Sequence, residues 1–234
     1  MKILVRIWKG VAYTVGVLVL GCLLVQGWFL GWVLYWNSHD PRSTSFMEQR
    51  RDELRAKLPN ATLKHQWTDY DRISAHLKRA VVAAEDAKFL DHEGFDWEGI
   101  QRAIEKNQKR GKSVAGGSTI SQQLAKNLFL SGDRSLARKG QEAVITLMLE
   151  TAMSKRRILE LYLNVAEWGE GVFGAEAAAR HYFGASAASL SPAQSARLAA
   201  MLPRPRFYDR NRGSQYLVSY TERILARMPS AQVP

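Results

Sequence analysis

The chain has 234 residues, room for one ordinary domain beyond an anchoring segment. Its 33 Lys and Arg against 22 Asp and Glu leave a net charge of +11, which implies a polyanionic partner: nucleic acid, an anionic bilayer surface or a phosphorylated substrate. The single cysteine, Cys22, excludes an intrachain disulfide, and neither a Cys/His metal-ligand pattern nor a Gly-rich Walker loop occurs.

Residues 1–10 are expected to form a short cytoplasmic N-terminus and 11–36 a transmembrane signal anchor. No residue from 11 to 36 is charged. Those 26 residues exceed the roughly 20 that cross a bilayer core and the about 7–15 of a cleavable signal's apolar region. No small-x-small cleavage pattern follows. Trp28, Trp32, Tyr35 and Trp36 crowd one end, as an interfacial aromatic belt does. Lys2, Arg6 and Lys9 precede the span, so the positive-inside rule keeps the N-terminus in the cytoplasm and places the remainder outside the inner membrane. A buried core helix is the alternative, for which the run is long. Export argues against nucleic acid as the partner.

Residues 37–70 are expected as a linker and membrane-proximal segment, broken by His39-Asp40-Pro41, and 71–234 as one mainly α domain. Apolar spacing predicts a helix over 72–86, with Ile73, Leu77, Ala80, Val81 and Ala84 inward. Asp96-Trp97 opens another, and 109–117 is a basic, glycine-bearing loop. Thr119-x-x-Gln122 reads as a capping box for a helix to about Phe129. Helices follow over 135–153 and 155–164. Alanine-rich ones cover 175–183 and 191–202, the latter stopped by Pro203 and Pro205, and 215–228 closes the series. No run reads as a strand.

Glu85 ends the apolar stretch 80–84. Partial desolvation there raises a carboxyl's pKa and makes it a better base near neutrality; a solvated helix end with Asp86 and Lys88 is the alternative. Glu142 sits four residues after Arg138, either as a second acid of a site or in an exposed ion pair. Lys126, Arg134, Arg138 and Lys139 gather within fourteen positions. They form either a solubility patch or the wall of a groove that stabilises a diphosphate leaving group. The Gly116-Gly117-Ser118-Thr119 turn adds backbone N–H groups at a helix start, favourable for an anion. His92 reads as a hydrogen-bonded scaffold residue and Asn164 as a helix cap. Val114, Phe129 and Leu130 either pack in the core or meet a lipid tail.

Five segments in series carry a resemblance: Glu85-Asp-x-x-Phe89-x-x-His92-x-Gly94; Gly117-x-Ser-Thr-Ile-x-Gln-Gln-x-x-Lys126-Asn127; Arg138-Lys139-x-x-Glu142-Ala143; Lys155-x-x-Ile158-Leu-Glu160-x-Tyr162-Leu-Asn164; and His181-Tyr182-Phe183-Gly184. Over about residues 81–208 the chain resembles the peptidoglycan glycosyltransferase family of lysozyme-like helical polymerases. It lacks Ser-x-x-Lys and Lys-Thr-Gly, so it is similar to the members without a penicillin-binding transpeptidase domain. It departs from the bifunctional relatives at Val165-Ala166-Glu167-Trp168 and at Ala185, neither of which touches the two acids.

The resemblance implies polymerisation of lipid II into β-1,4-linked glycan, with inversion and release of undecaprenyl diphosphate. Glu85 would take the proton of the acceptor's GlcNAc 4-hydroxyl, and Glu142 would support the donor or leaving group. Lys126 and Arg134, helped by Arg138 and Lys139, would hold the pyrophosphates. Ser118, Gln122, Gln123 and Asn127 would fix sugar and phosphate positions. No cofactor is required by this reading, and a divalent cation at the diphosphate is an option without a legible ligand set. Implied partners are lipid II, the growing glycan chain, the bilayer, and penicillin-binding and division proteins. A lysozyme-like lytic transglycosylase or hydrolase is the rival, but it needs no diphosphate cradle. A non-catalytic basic membrane tether is the other, and it predicts an inert Glu85→Gln substitution.

Overall fold

The computed structural model describes residues 2–111, 116–130, 132 and 135–234, with side chains from Arg6 onward. Arg134 and Val114, both singled out above, lie outside the described residues. The chain divides into two units, Met1–His39 and Asp40–Pro234.

The first unit is one helix, α1 (Lys2–Ser38). Its Arg6–Ser38 stretch has a mean hydropathy of 2.1 and is long and apolar enough to cross a membrane. Side chains such as Val17, Leu18 and Leu24 are exposed. Near its C-terminal end the rings of Trp28, Trp32 and Tyr35 meet edge to face, at centroid separations of 6.3 and 5.6 Å.

In the second unit the expected linker is structured. Thr44 accepts the Met47 N–H and caps α2 (Ser45–Arg55), which buries Phe46 and Met47. The other positions of α2 are mostly charged, so no apolar stripe betrayed it. β1 (Lys64–His65) follows, then α3 (Ala75–Glu85), capped by Ser74, and α4 (Trp97–Arg110), capped by Asp96. Next come α5 (Ile120–Phe129), α6 (Leu136–Ala152) and α7 (Lys155–Val165). β2 (Glu167–Gly169) and β3 (Val172–Phe173) lead to α8 (Ala175–Phe183), α9 (Pro192–Met201), α10 (Pro205–Arg210) and α11 (Gln215–Arg227).

Two sequence expectations are corrected here. Strands exist: β3 is central in a three-stranded sheet, parallel to β1 and antiparallel to β2. At two or three residues each they are too short to show alternation. Pro205, expected as a stop, occupies the first turn of α10, where its missing N–H costs nothing.

Packing sets out the site. α3 lies against α9 and α11, burying Leu77, Ala80, Val81, Leu198, Ala199, Leu217 and Ile224. α5 is enclosed by α2, α6 and α7, which bury Leu124, Leu128, Ile145, Leu149, Ile158 and Leu161 with it. The loop between α3 and α4 passes close to α6 at Gly94, whose φ is +92°. A Cβ there would meet the Thr146 methyl at 2.7 Å, so only glycine fits.

Candidate active site

The site begins where α3 ends. Glu85 is its last residue and Asp86 its C-cap. One Asp86 oxygen meets His92 Nε2 at 2.9 Å, and the other accepts the Ile120 N–H at 3.0 Å. A buried carboxylate thus ties the end of α3 to the first turn of α5, and this brings Gln123, one turn along, against Glu85. His92 is scaffold, as its sequence position suggested: Nδ1 accepts the Gly94 N–H, and its carbonyl accepts from Lys155 Nζ at 2.6 Å.

α5 starts with the expected capping box. The Thr119 N–H donates to Gln122 Oε1 at 3.0 Å, and the Gln122 N–H donates to Thr119 Oγ1 at 3.2 Å. The Thr119 hydroxyl donates to the Gly94 carbonyl at 2.7 Å. Gln122 is buried and its side-chain oxygen is spent on this cap. Gln123 Nε2 donates to Glu85 Oε2 at 2.8 Å, while Gln123 Oε1 accepts the Tyr162 hydroxyl at 3.0 Å.

Burial is the largest influence on Glu85 and pushes its pKa up, helped by the neighbouring Asp86. The Gln123 amide and Lys126 oppose that shift by favouring the ionised form. Lys126 is itself pushed down by burial, and attraction to Glu142 and Glu85 works against this. It therefore lies in the field of both acids. Its Nζ sits 5.6 Å from the Phe46 ring centre, and the Arg50 guanidinium lies 4.6 Å from the same ring.

Glu142 is buried on α6 and saturated by cations. Arg138 Nη1 donates to one oxygen at 2.6 Å and Lys139 Nζ to the other. Lys139 also donates to the exposed Ser118 hydroxyl at 3.3 Å. Arg138 and Lys139 are thus gathered at Glu142, with Ser118 beside them.

Beside Gln123, Lys126, Asn127 and Tyr162 opens a hollow of about 680 Å³. Its other walls are Phe46 and Arg50 of α2, Ala166 and Glu167, and the segment Leu202–Arg210, which brings Arg204, Arg206 and Arg210. Five cations and one carboxylate therefore face the same space. Neither Glu85 nor Glu142 is among its walls: Glu85 reaches it through Gln123, and Lys126 stands between it and Glu142 in charge. Arg138 and Lys139 do not line it either, which corrects the expectation of one trough walled by the sequence-local cluster. A cationic run on one helix turn pairs with the acid one turn away before it reaches a neighbouring groove.

Sequence reasoning missed Arg50, the three arginines of 204–210, Glu167 and the role of Tyr162. The Arg-Pro-Arg run at 204–206 was the available signal. Arg50 is held by Glu167 Oε2 at 3.2 Å and Glu53 Oε2 at 2.6 Å, and no sequence spacing foretells the first contact. Asn164 is fully buried and latches residue 68 to α7 through two 2.9 Å bonds, a structural task. Phe129 is half-buried and Leu130 buried. Among the described residues, no group of three or more His, Cys, Asp or Glu is placed to hold a metal ion.

Residues 51–229 match the Transglycosylase family. The chain is 66% identical over 217 residues to the biosynthetic peptidoglycan transglycosylase of Dechloromonas aromatica, covering 92% of this chain and 94% of that one. It is 59% identical over 226 residues to the protein of that name in Aromatoleum aromaticum, covering 97% and 98%. With the one from Azoarcus sp. it shares 59% over 234 residues and the full length of both. A helical, lysozyme-like domain with a desolvated glutamate beside a cation-lined hollow, and these likenesses along nearly its whole length, show that the chain belongs to the transglycosylase family.

Proposed function

We propose that this protein is a peptidoglycan glycosyltransferase that polymerises lipid II for the bacterial cell wall. The acceptor's GlcNAc O4 attacks C1 of the donor chain's terminal MurNAc. The C1–O bond to the diphosphate breaks with inversion, a β-1,4 link forms, and undecaprenyl diphosphate leaves. Glu85 takes the hydroxyl proton. One observation carries this reading: a glutamate whose burial raises its proton affinity, bonded to a neutral amide, beside a lysine that faces a hollow lined by four arginines. A base must change protonation state during turnover, and a leaving diphosphate needs fixed positive charge.

Lys126 supplies the charge nearest the reacting carbon. Arg138 and Lys139, already balanced by Glu142, hold the flank of the same site, and the family resemblance assigns Arg134, with Lys126, to the pyrophosphates. Asn127 and Gln123 border the space where sugar would lie, and Ser118 borders the diphosphate. Both Glu142 oxygens are occupied by Arg138 and Lys139. α1 serves as the anchor in the inner membrane. Lys2, Arg6 and Lys9 favour a cytoplasmic N-terminus and a catalytic domain outside. Confinement to the plane of the lipid substrate raises the effective concentration of both. Association with penicillin-binding and division proteins belongs to the same reading.

The test is direct. The purified full chain, incubated in detergent with labelled lipid II, should yield long glycan on a gel, and Glu85→Gln should yield none. Native polymer yield from Glu85→Gln would remove the base.

A further inference from the structure

Gln123 is bonded at both ends of its amide, and both bonds stay inside the protein. Nε2 donates to Glu85 Oε2 at 2.8 Å, and Oε1 accepts the Tyr162 hydroxyl at 3.0 Å. The two ends of a carboxamide are nearly equal in shape, so its partners alone decide which way it points. An ionised Glu85 accepts only the NH2 end. The opposite end needs a donor, and Tyr162 is the donor present. That tyrosine is 1% exposed on the last turn of α7, so its ring is held in place by packing.

We propose that Tyr162 is a positioning residue of the glycosyl transfer: its hydroxyl holds the Gln123 amide with the NH2 toward Glu85, engaging one carboxylate oxygen and leaving the other to receive the acceptor's proton. This rests on the reading of Glu85 as the base. The hydroxyl is a permanent donor, because burial and the charges of Glu85 and Asp86 push the Tyr162 pKa far up. The other groups facing Glu85 do not perform this task. Asp86 adds negative charge from the end of α3, and Lys126 adds positive charge from α5. Tyr220 of α11 spends its hydroxyl on the Ala84 carbonyl at 3.3 Å. Without the Tyr162 hydroxyl, Gln123 Oε1 loses its donor and the amide is free to turn. Ionised Glu85 then loses its bond for part of the time, and its proton affinity rises.

The experiment compares the native full chain with Tyr162→Phe, Gln123→Met and the double variant, using labelled lipid II across a pH series. Tyr162→Phe should lower kcat on the order of ten-fold at neutral pH, as expected for one hydrogen bond acting on the base. KM should stay within about two-fold, and the acid limb of kcat should move up by roughly one pH unit. Gln123→Met should do the same, and the double variant should be no worse than Gln123→Met, because Tyr162 acts only through the amide. Additive losses, or an unmoved acid limb in Tyr162→Phe, overturn the relay. Should Tyr162→Phe fail to fold, Gln123→Met alone must still show the shift, and its absence is equally fatal. A carboxyl titration by ¹³C-Glu NMR, assigned with Glu85→Gln, separates the two readings. An unchanged Glu85 titration in Tyr162→Phe sinks the relay even where Glu85 is the base. A Glu85→Gln enzyme of native rate removes the base while the titration shift still stands.

Discussion

Glu85 ends α3 and Glu142 lies on α6, and Lys126 of α5 lies in the field of both. Their surroundings differ sharply. Glu142 has a cation on each oxygen, and its side chain is 4% exposed. Glu85 is bonded to a neutral amide and has no cation in hydrogen-bond contact among the described residues. Glu142 is a counter-ion to residues one helical turn before it. Glu85 keeps an ionisable proton site that burial has made more basic. Residue type does not separate the roles; the partner within about 3 Å does.

The largest way to break this comparison is Glu85→Gln, which should lower lipid II polymerisation by about 10²–10⁴-fold, the usual contribution of a general base. The same change should raise the melting temperature by about a few degrees at neutral pH. The sign follows from linkage. A carboxyl whose folded pKa is raised above 4.5 is best tolerated when protonated, so its ionisation costs stability as pH rises through that folded pKa. A neutral amide removes that cost.

Glu142→Gln should do the reverse to the fold. It leaves Arg138 and Lys139 without their shared carboxylate, and denaturant unfolding should show a loss of about 2–3 kcal/mol. The cost sits at the low end because the Lys139 side chain is 45% exposed and partly screened by water. Opposite signs for the two substitutions sharpen the contrast; equal signs break it. Thr119→Ala comes third. It removes the α5 cap and the bond to Gly94, and should cost about 1–2 kcal/mol in the same measurement.

The parts legible in the sequence were those written in short spacings. The capping box at Thr119 and Gln122 and the bond of His92 to Asp86 each join residues at most six positions apart. What escaped depends on distant packing. Tyr162 meets Gln123 from 39 positions away, and Arg50 meets Glu167 from 117. Arg50 was hidden because α2 shows almost no apolar stripe, and Arg204, Arg206 and Arg210 because the prolines around them read as a stop rather than a helix start. The Arg138–Glu142 pair was legible from its i,i+4 spacing, but not its burial.

The most direct measurement is the pH dependence of kcat/KM for lipid II polymerisation by the native enzyme. The account predicts an acid limb with its midpoint above 4.5, the ordinary glutamic acid value, because activity falls as the raised Glu85 carboxyl takes up its proton. A limb at or below 4.5, or a profile flat through that range, contradicts a buried Glu85 acting as the base.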